Sequence, residues 1–134
     1  MFRFLPLLLA LGTSGCLLEP NGSAALVTGD WGGPHLGMIA TDSAASLEFD
    51  CALGTIPGPI RTDVKGAFSV TGLFFPGFGG PLPMPSDAES HPARYDGVVR
   101  GDKMTLTVTL TDSNTSLGTY TLLRGGSPYV VKCV

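Results

Sequence analysis

The sequence has little charge of either sign, and this scarcity limits the partners it can bind. Lys and Arg number eight in 134 residues and Asp and Glu eleven, so that the formal net charge is −3. Affinity for nucleic acids comes largely from clustered Lys and Arg side chains on phosphates, and the sequence contains no such cluster. We therefore expect no nucleic-acid partner.

Motifs of nucleophilic and metal-dependent catalysis are also missing. The sequence contains neither a Gly-x-Ser-x-Gly pattern nor a His-Glu-x-x-His pattern. It contains two histidines, His35 and His91. A metal site built on them would draw carboxylates from Asp50, Asp87 or Glu89, but the close ligand spacing of a zinc motif is lacking. We expect no cofactor and no catalysis, and we favour histidines that hydrogen-bond to loop backbone.

Helical periodicity is absent as well. From about residue 26 onward, apolar residues do not recur at helical spacing for more than about one turn. Short segments instead alternate apolar and polar residues between Gly, Pro and Asp, which predicts β-strands. We expect a small all-β fold, an antiparallel up-and-down β-barrel of about eight strands, with a β-sandwich as the alternative. The interior of such a barrel is filled by side chains or holds one small ligand.

The clearest pattern is a hairpin whose turn is Gly101-Asp102, because a two-residue loop containing Gly suits the twist of the flanking strands. Threonines at 105, 107, 109 and 111 alternate with apolar residues and define a polar face. The apolar face comprises Tyr95, Gly97, Val99, Met104, Leu106, Val108 and Leu110. Further strands are predicted at residues 25–31, 36–40, 45–51, 66–74, 116–124 and 128–133.

The first residues have the layout of a leader. Arg3 precedes an apolar run of roughly eight residues, and small residues then lead to Cys16. Residues 11–16, "LGTSGC", resemble the lipobox of bacterial lipoproteins, with Thr13 where a leucine is commoner. The resemblance implies cleavage before Cys16 and attachment of palmitate-type acyl chains to it as a membrane anchor. Leu17, where Asp would favour the inner membrane, implies an outer-membrane lipoprotein that faces the periplasm or the cell surface.

These features divide the chain into three parts. Residues 1–15 are expected to be a lipoprotein signal peptide, although an ordinary secretory leader is the alternative. Residues 16–25, which are mostly small and polar after the cysteine, are expected to form the lipidated N-terminus and a flexible tether. Residues 26–134 are expected to form a single β domain.

The three cysteines are an odd number for an exported protein until Cys16 is assigned to lipid. Cys51 and Cys133 then remain as a disulfide pair, which requires an oxidising compartment. Alternation places Cys51 on the inward face of its predicted strand with Leu47 and Phe49. It likewise places Cys133 on the inward face of the last strand with Tyr129 and Val131. The alternative is two buried free thiols.

Two resemblances extend into the predicted domain. Gly29-Asp30-Trp31 at the first strand, with Arg124 ending a late one, resembles the Gly-x-Trp and late Arg that close the barrel base in lipocalin-like and avidin-like proteins. The elements at residues 31–35, 50–54 and 92–97 are similar to those of small bacterial lipoproteins. The first resemblance implies that Trp31 and Arg124 meet at the barrel base, and the second implies no activity.

The segment "GLFFPGFGGPLPMP", residues 72–85, is too rich in Gly and Pro to form one regular strand. Its large apolar side chains therefore either line a ligand or partner loop or, for the first two, end a strand in the core. The residues concerned are Phe74, Phe75, Phe78, Leu82 and Met84.

These observations favour a lipid-anchored cell-envelope protein that acts as a non-enzymatic binding or interaction module. Its partner would be a small apolar ligand or an envelope protein. The alternatives are a metal-dependent or hydrolytic envelope enzyme that uses His35 and His91, and an envelope protein with a structural or inhibitory role.

Overall fold

The structure is a computed structural model and describes residues 25–77 and 89–132. Eight strands close into an antiparallel barrel in the order β10-β2-β3-β4-β5-β7-β8-β9, while β1 and β6 pair separately. The strands are β1 (Ala25–Leu26), β2 (Gly29–Gly33), β3 (Leu36–Ala40), β4 (Ala45–Phe49), β5 (Ala52–Ile56), β6 (Arg61–Thr62), β7 (Ala67–Pro76), β8 (His91–Arg100), β9 (Lys103–Leu110) and β10 (Thr115–Arg124). The predicted fold, a closed eight-stranded β-barrel, is confirmed. Within the described ranges no helix is long and apolar enough to cross a membrane.

The hairpin predicted from alternation is confirmed as β8 and β9. Arg100 pairs with Lys103 across the turn, and Gly101 has φ of 62°, a conformation that glycine adopts without steric cost. Most apolar side chains on the inner face are buried, with Val99 and Leu110 partly buried, while most of the alternating threonines face outward. The period of two in the sequence thus separates the barrel interior from its outer wall.

Side chains from the strands fill the interior. Tyr95 is 0% exposed, and its hydroxyl donates a hydrogen bond of 2.7 Å to the Leu73 carbonyl. The ring reaches across to β5, where a Cβ at Gly54 would lie 2.6 Å from the Tyr95 hydroxyl. Glycine at 54 therefore makes room for tyrosine at 95. The largest fully buried side chains are Trp31, Tyr95, Leu36, Met38, Ile56, Ile60, Met104, Leu106, Leu122 and Val108.

The strand list differs from the prediction at several places. The strand predicted at residues 25–31 is divided into β1 and β2, and neither β5 nor the two-residue β6 was predicted. β5 is missing from the prediction because only Asp50 and Cys51 separate it from β4, and the strand predicted at residues 45–51 runs through both. The strand predicted at residues 128–133 is wrong as a barrel strand. Its described part lies outside the wall as an extended segment with one isolated parallel bridge, Pro34 to Tyr129.

Because neighbouring strands are antiparallel, the connections alternate between two ends of the barrel. One end, here called the loop end, carries the connections at residues 34–35, 50–51 and 111–114, together with the end of β7 and the start of β8. The other end, the barrel base, carries residues 41–44, 57–66 and 101–102. The described chain enters at the barrel base, since Ala25 pairs with Thr62 there.

Candidate functional site at the loop end of the barrel

The histidines and their carboxylate partners lie at the loop end. Each of the two histidines lies beside a carboxylate that belongs to a different connection between strands. The end of β7 and the segment after β10 arrive at the same place, because Gly77 and Val131 both form backbone hydrogen bonds of 2.8 Å with Cys51. The loop end is therefore where distant parts of the sequence meet.

His35 and Asp50 form one of the two histidine–carboxylate pairs. His35 Nδ1 lies 2.5 Å from Asp50 Oδ2, while Asp50 Oδ1 accepts the Val131 N–H at 2.7 Å. The Val131 hydrogen bond, followed by the His35 ring, holds the pKa of the Asp50 carboxyl below its ordinary value. An ionised carboxylate only accepts, so Nδ1 carries the proton and Nε2 is the ring nitrogen that Asp50 does not engage.

The backbone of His35 is held in an uncommon conformation. Its φ is 71°, in the left-handed region that non-glycine residues seldom occupy. The His35 N–H donates to the Tyr129 carbonyl at 2.7 Å, which fixes this turn against the segment after β10. The turn thus presents a half-exposed imidazole in one orientation.

His91 forms the second pair and contacts two carboxylates. Its Nδ1 lies 2.8 Å from Asp112 Oδ2 in the β9–β10 turn, and its Nε2 lies 3.2 Å from Glu89 Oε1. Two acceptors at the two ring nitrogens require both nitrogens to donate, which only the imidazolium does. The Asp112 hydrogen bond, with the charges of Asp112 and Glu89, raises the pKa of His91 above its ordinary value.

The structure assigns the two histidines to different carboxylates. Among residues 25–77 and 89–132, no group of three or more His, Cys, Asp or Glu side chains is arranged to hold a metal ion. Asp87, which the sequence offered as a further ligand, lies outside the described residues. The histidines bond mainly to side chains, where the sequence favoured loop backbone.

Residues 126–132, here called the strap, cross the outer wall from the end of β10 to the loop end. The strap covers two paired glycines: a Cβ at Gly32 would lie 2.3 Å from the Gly126 carbonyl oxygen, and one at Gly37 would lie 2.6 Å from Pro128 Cβ. Beyond these contacts, the Tyr129 N–H donates to the Gly33 carbonyl at 3.0 Å. Backbone hydrogen bonds thus hold the strap, and the glycines beneath it allow it to lie close to the barrel wall.

The strap corrects two predicted orientations. Tyr129 is 75% exposed and Val131 60%, so they do not face a barrel interior, which is already full. Cys51 does not continue the inward face of β4, because β4 ends at Phe49 and Cys51 has φ of 54° in the turn that follows. Cys133 lies outside the described residues, two positions beyond Val131.

The phenylalanines of residues 72–85 divide between core and surface. Phe74 is 9% exposed and packs edge-on against Phe49 with ring centroids 5.3 Å apart, so it ends a strand in the core. Phe75 faces outward and pairs with Leu53 across the β5–β7 ladder. An apolar area, which we call the outer patch, is formed by Phe75, Leu53 and Leu73, the last of which is 40% exposed. Phe78, Leu82 and Met84 lie outside the described residues.

The structure also contains a cleft that the sequence did not predict. It has a volume of about 460 Å³ and lies between residues 117–121 of β10 and the residues Pro34, His35 and Asp50. We call this cleft the seam, because it separates β10 from the end of β2. A signal was present in the lengths of the strands, since β10 has 10 residues and its neighbour β2 has 5.

Trp31 and Arg124 meet at the barrel base. They are paired in the β2–β10 register, and the Arg124 guanidinium lies 4.4 Å from the centre of the Trp31 ring. The Trp31 indole N–H donates to the Thr28 carbonyl at 3.1 Å, while Arg124 Nε lies 3.1 Å from Asp102 Oδ1. The two residues singled out by resemblance to lipocalin-like barrels are therefore in contact.

Comparison with known proteins identifies no relative. The chain matches no family model and has no significant match among curated proteins or solved structures. Its architecture, a closed eight-stranded antiparallel barrel, is consistent with that of lipocalin-like barrels, a likeness of fold that does not by itself imply a function.

Proposed function

We propose that this chain is an exported, lipid-anchored envelope protein that binds a partner protein at the loop end of its barrel and has no catalytic role. One observation carries the proposal. The described interior is occupied by side chains such as Tyr95, Met104 and Leu106, each 0% exposed, which argues against an apolar ligand along the axis. Recognition then falls to the outer surface, where the loop end carries charged pairs and the outer patch.

The orientation of the barrel supports this role. Ala25 lies at the barrel base, so a tether from Cys16 would reach the fold at that end. The loop end would then point away from the membrane, toward proteins of the envelope. Two or more acyl chains, as in a triacylated cysteine, give stable anchoring, and Leu17 fits retention in the outer membrane.

We also propose a disulfide between Cys51 and Cys133. The support is that Val131 is hydrogen-bonded to both Asp50 and Cys51, which brings the residues before position 133 to the Cys51 turn. A bridge closing a loop of roughly 80 residues would stabilise the fold by about 4 kcal/mol in the chain-entropy model. It would also hold the strap across the outer wall.

Intact mass spectrometry of protein extracted from its own membranes tests the anchor and the disulfide together. We expect loss of residues 1–15, addition of acyl chains and a mass two hydrogens short of the reduced form. The Cys16→Ser variant is expected to leave the membrane fraction, while Cys51→Ser is expected to remain in it. A native product that retains residues 1–15, or two cysteines that alkylate without reductant after unfolding, would contradict this part of the proposal.

Site-specific photo-crosslinking tests the partner. A photoreactive amino acid at Leu73 in the outer patch is expected to crosslink a defined envelope protein in living cells. Val64 is the matched control, because it is also apolar and 56% exposed but lies at the barrel base. Equal crosslinking at both positions, or none at Leu73, counts against a binding role for the loop end.

The His35–Asp50 pair is the observation that favours the alternative, an envelope enzyme. A carboxylate-oriented imidazole is the arrangement of a general base or of a metal ligand. Metal analysis, together with thermal melts with and without chelator, tests it. A bound metal that lowers stability on removal, and whose binding is lost in His35→Ala, would replace the binding role with the enzymatic one.

A further inference from the structure

β10 extends far beyond the strand that should cover it. It pairs with β9 from Thr115 to Leu123, but with β2 only at Leu123 and Arg124. Past Gly33 the β2 chain turns away at Pro34 and His35 toward β3. Along residues 115–120, the β10 edge that faces β2 therefore has no paired strand among the described residues.

The direction of the backbone N–H and C=O groups along β10 follows from the contacts at the end of this strand. The Arg124 N–H donates to the Asp102 carbonyl on the β9 side, at 2.8 Å. Leu123 instead accepts the Gly126 N–H at 2.9 Å on the β2 side, and a Cβ at Gly33 would lie 2.1 Å from the Thr121 oxygen. Alternation then directs the N–H and C=O of Thr119 and Thr121 into the seam.

The seam has two walls. β10 supplies one along residues 117–121, which span about 16 Å at roughly 3.3 Å per residue, and Pro34, His35 and Asp50 supply the other. The sheet edge of a second copy would collide with the second wall, because a sheet is wider than one strand. A single extended segment fits between the two walls. The chemistry of the first wall, peptide N–H and C=O groups that no described strand pairs with, is that of strand addition.

We propose that the seam binds an extended peptide segment of a partner protein, which adds as a strand to the edge of β10 that no described strand covers. The proposal rests on the binding role given above and names the chemistry of one contact. Leu117 and Tyr120 are half-buried at the inner side of the seam, so an apolar side chain of the segment would face them. His35 Nε2 on the opposite wall is placed to bond a polar group of the same segment.

Amide hydrogen exchange of the mature protein with a defined peptide tests the proposal. The probe is the capped octapeptide KMTLTVTL, the sequence of β9, which pairs with β10 along its other edge. We expect it to slow exchange of the Thr119 and Thr121 amides at least tenfold at saturation. The control is the same peptide with alternate backbone nitrogens methylated, which cannot donate along one edge.

A pair of variants at position 119 provides the second arm. Thr119→Pro removes the seam-facing N–H, in a setting where sheets tolerate proline, and is expected to weaken peptide binding about tenfold. Thr119→Val keeps that N–H and removes only the hydroxyl, which lies 2.9 Å from the Thr107 hydroxyl; it is expected to bind like the wild type. If Thr119→Pro does not fold, the exchange measurement on the wild type decides.

Three outcomes would overturn the proposal. One is exchange at Thr119 and Thr121 that the peptide leaves unchanged, and another is equal affinity of the two position-119 variants. The third is a dimer of the free protein in which the Thr119 amide is already protected, because a second copy would then occupy the edge.

If Leu73 crosslinks a partner in cells while the seam fails these tests, the binding role stands without the seam. If the peptide protects the seam and Leu73 crosslinks nothing, the seam stands without the outer patch.

Discussion

The Arg124 guanidinium covers the face of the Trp31 ring, 4.4 Å from its centre, where the last strand of the barrel closes onto the first. Trp31 is 1% exposed, so the guanidinium caps an otherwise buried ring. Only two residue pairs join β10 to β2, and this stacked pair is one of them. A short closure of the barrel thus coincides with a strong side-chain contact, and the rest of β10 is left open as the seam.

Replacing Arg124 with alanine is expected to destabilise the barrel by about 1–2 kcal/mol, because the change removes a cation–π contact and uncovers the Trp31 ring. Urea denaturation followed by tryptophan fluorescence measures the effect on the single Trp of the sequence. Asp102→Asn is the matched control, since it removes the exposed ion pair with Arg124 but keeps the stacking. It is expected to cost less than about 0.5 kcal/mol. Equal losses in the two variants would assign the effect to the ion pair.

Gly97 is predicted to resist substitution because an aromatic ring lies over it. A Cβ at position 97 would lie 2.2 Å from Phe68 Cζ, and Phe68 pairs with Gly97 across β7 and β8. Gly97→Ala should therefore displace a buried ring and destabilise the fold by roughly 1–3 kcal/mol. Gly58→Ala is the control, since no atom lies within 4 Å of its Cβ position, and thermal unfolding of both variants gives the comparison. Similar melting temperatures would show that the interior adapts to the added methyl.

Gly32 is predicted to hold the strap in place. A Cβ there would lie 2.3 Å from the Gly126 oxygen and 2.7 Å from the Pro128 nitrogen, both of which are backbone atoms that cannot rotate away. Gly32→Ala should lift the strap and speed amide exchange at His35 and Cys51, whose N–H groups donate to Tyr129 and Val131. We expect a loss of about 1–3 kcal/mol from the backbone bonds involved.

The same exchange experiment on Gly58→Ala is expected to leave these two amides as protected as in the wild type. Unchanged protection in Gly32→Ala would mean that the strap is held from its far end alone, as the proposed disulfide at Cys51 would do. Combining Gly32→Ala with reductant separates the two restraints.

Alternation in the sequence was sufficient to predict the barrel where it was regular. The hairpin of β8 and β9 was predicted with its turn, because Gly101 and Asp102 interrupt a strict period of two. β3 was predicted with its observed bounds for the same reason. These elements are specified locally, by side-chain pattern and turn chemistry.

The remaining features depend on what lies above or opposite each residue. Val131 alternates as a strand residue would, yet the interior has no space for it and it lies 60% exposed in the strap. Cys51 follows an alternating pattern into a tight turn that no Gly or Pro announces. The pairing of His35 with Asp50 and of His91 with Asp112 needs the strand order, which places these connections at one barrel end. Local patterns carry no information of that kind.

The contact of His91 with Asp112 and Glu89 predicts a stability that depends on pH. β8 itself and β7, where Phe74 pairs with His91, bring no other charged group to the ring among the described residues. The pKa of His91 is raised in the folded state, chiefly by the Asp112 hydrogen bond, relative to an ordinary value of 6.5. Its stabilisation is therefore complete below about pH 6.5 and is lost as the pH rises through the raised pKa.

Asp112→Asn is expected to remove most of this pH dependence. The wild type should lose unfolding free energy between pH 6 and pH 9 by more than the variant does, as measured by urea denaturation at each pH. The window avoids acid effects, because the Asp112 carboxyl, whose own pKa is lowered by His91, stays ionised throughout it. Histidine ring signals in an NMR titration give the direct check. A measured His91 pKa at or below 6.5 would show that the two carboxylates do not stabilise the imidazolium. The ring would then be neutral at the loop end above that pH.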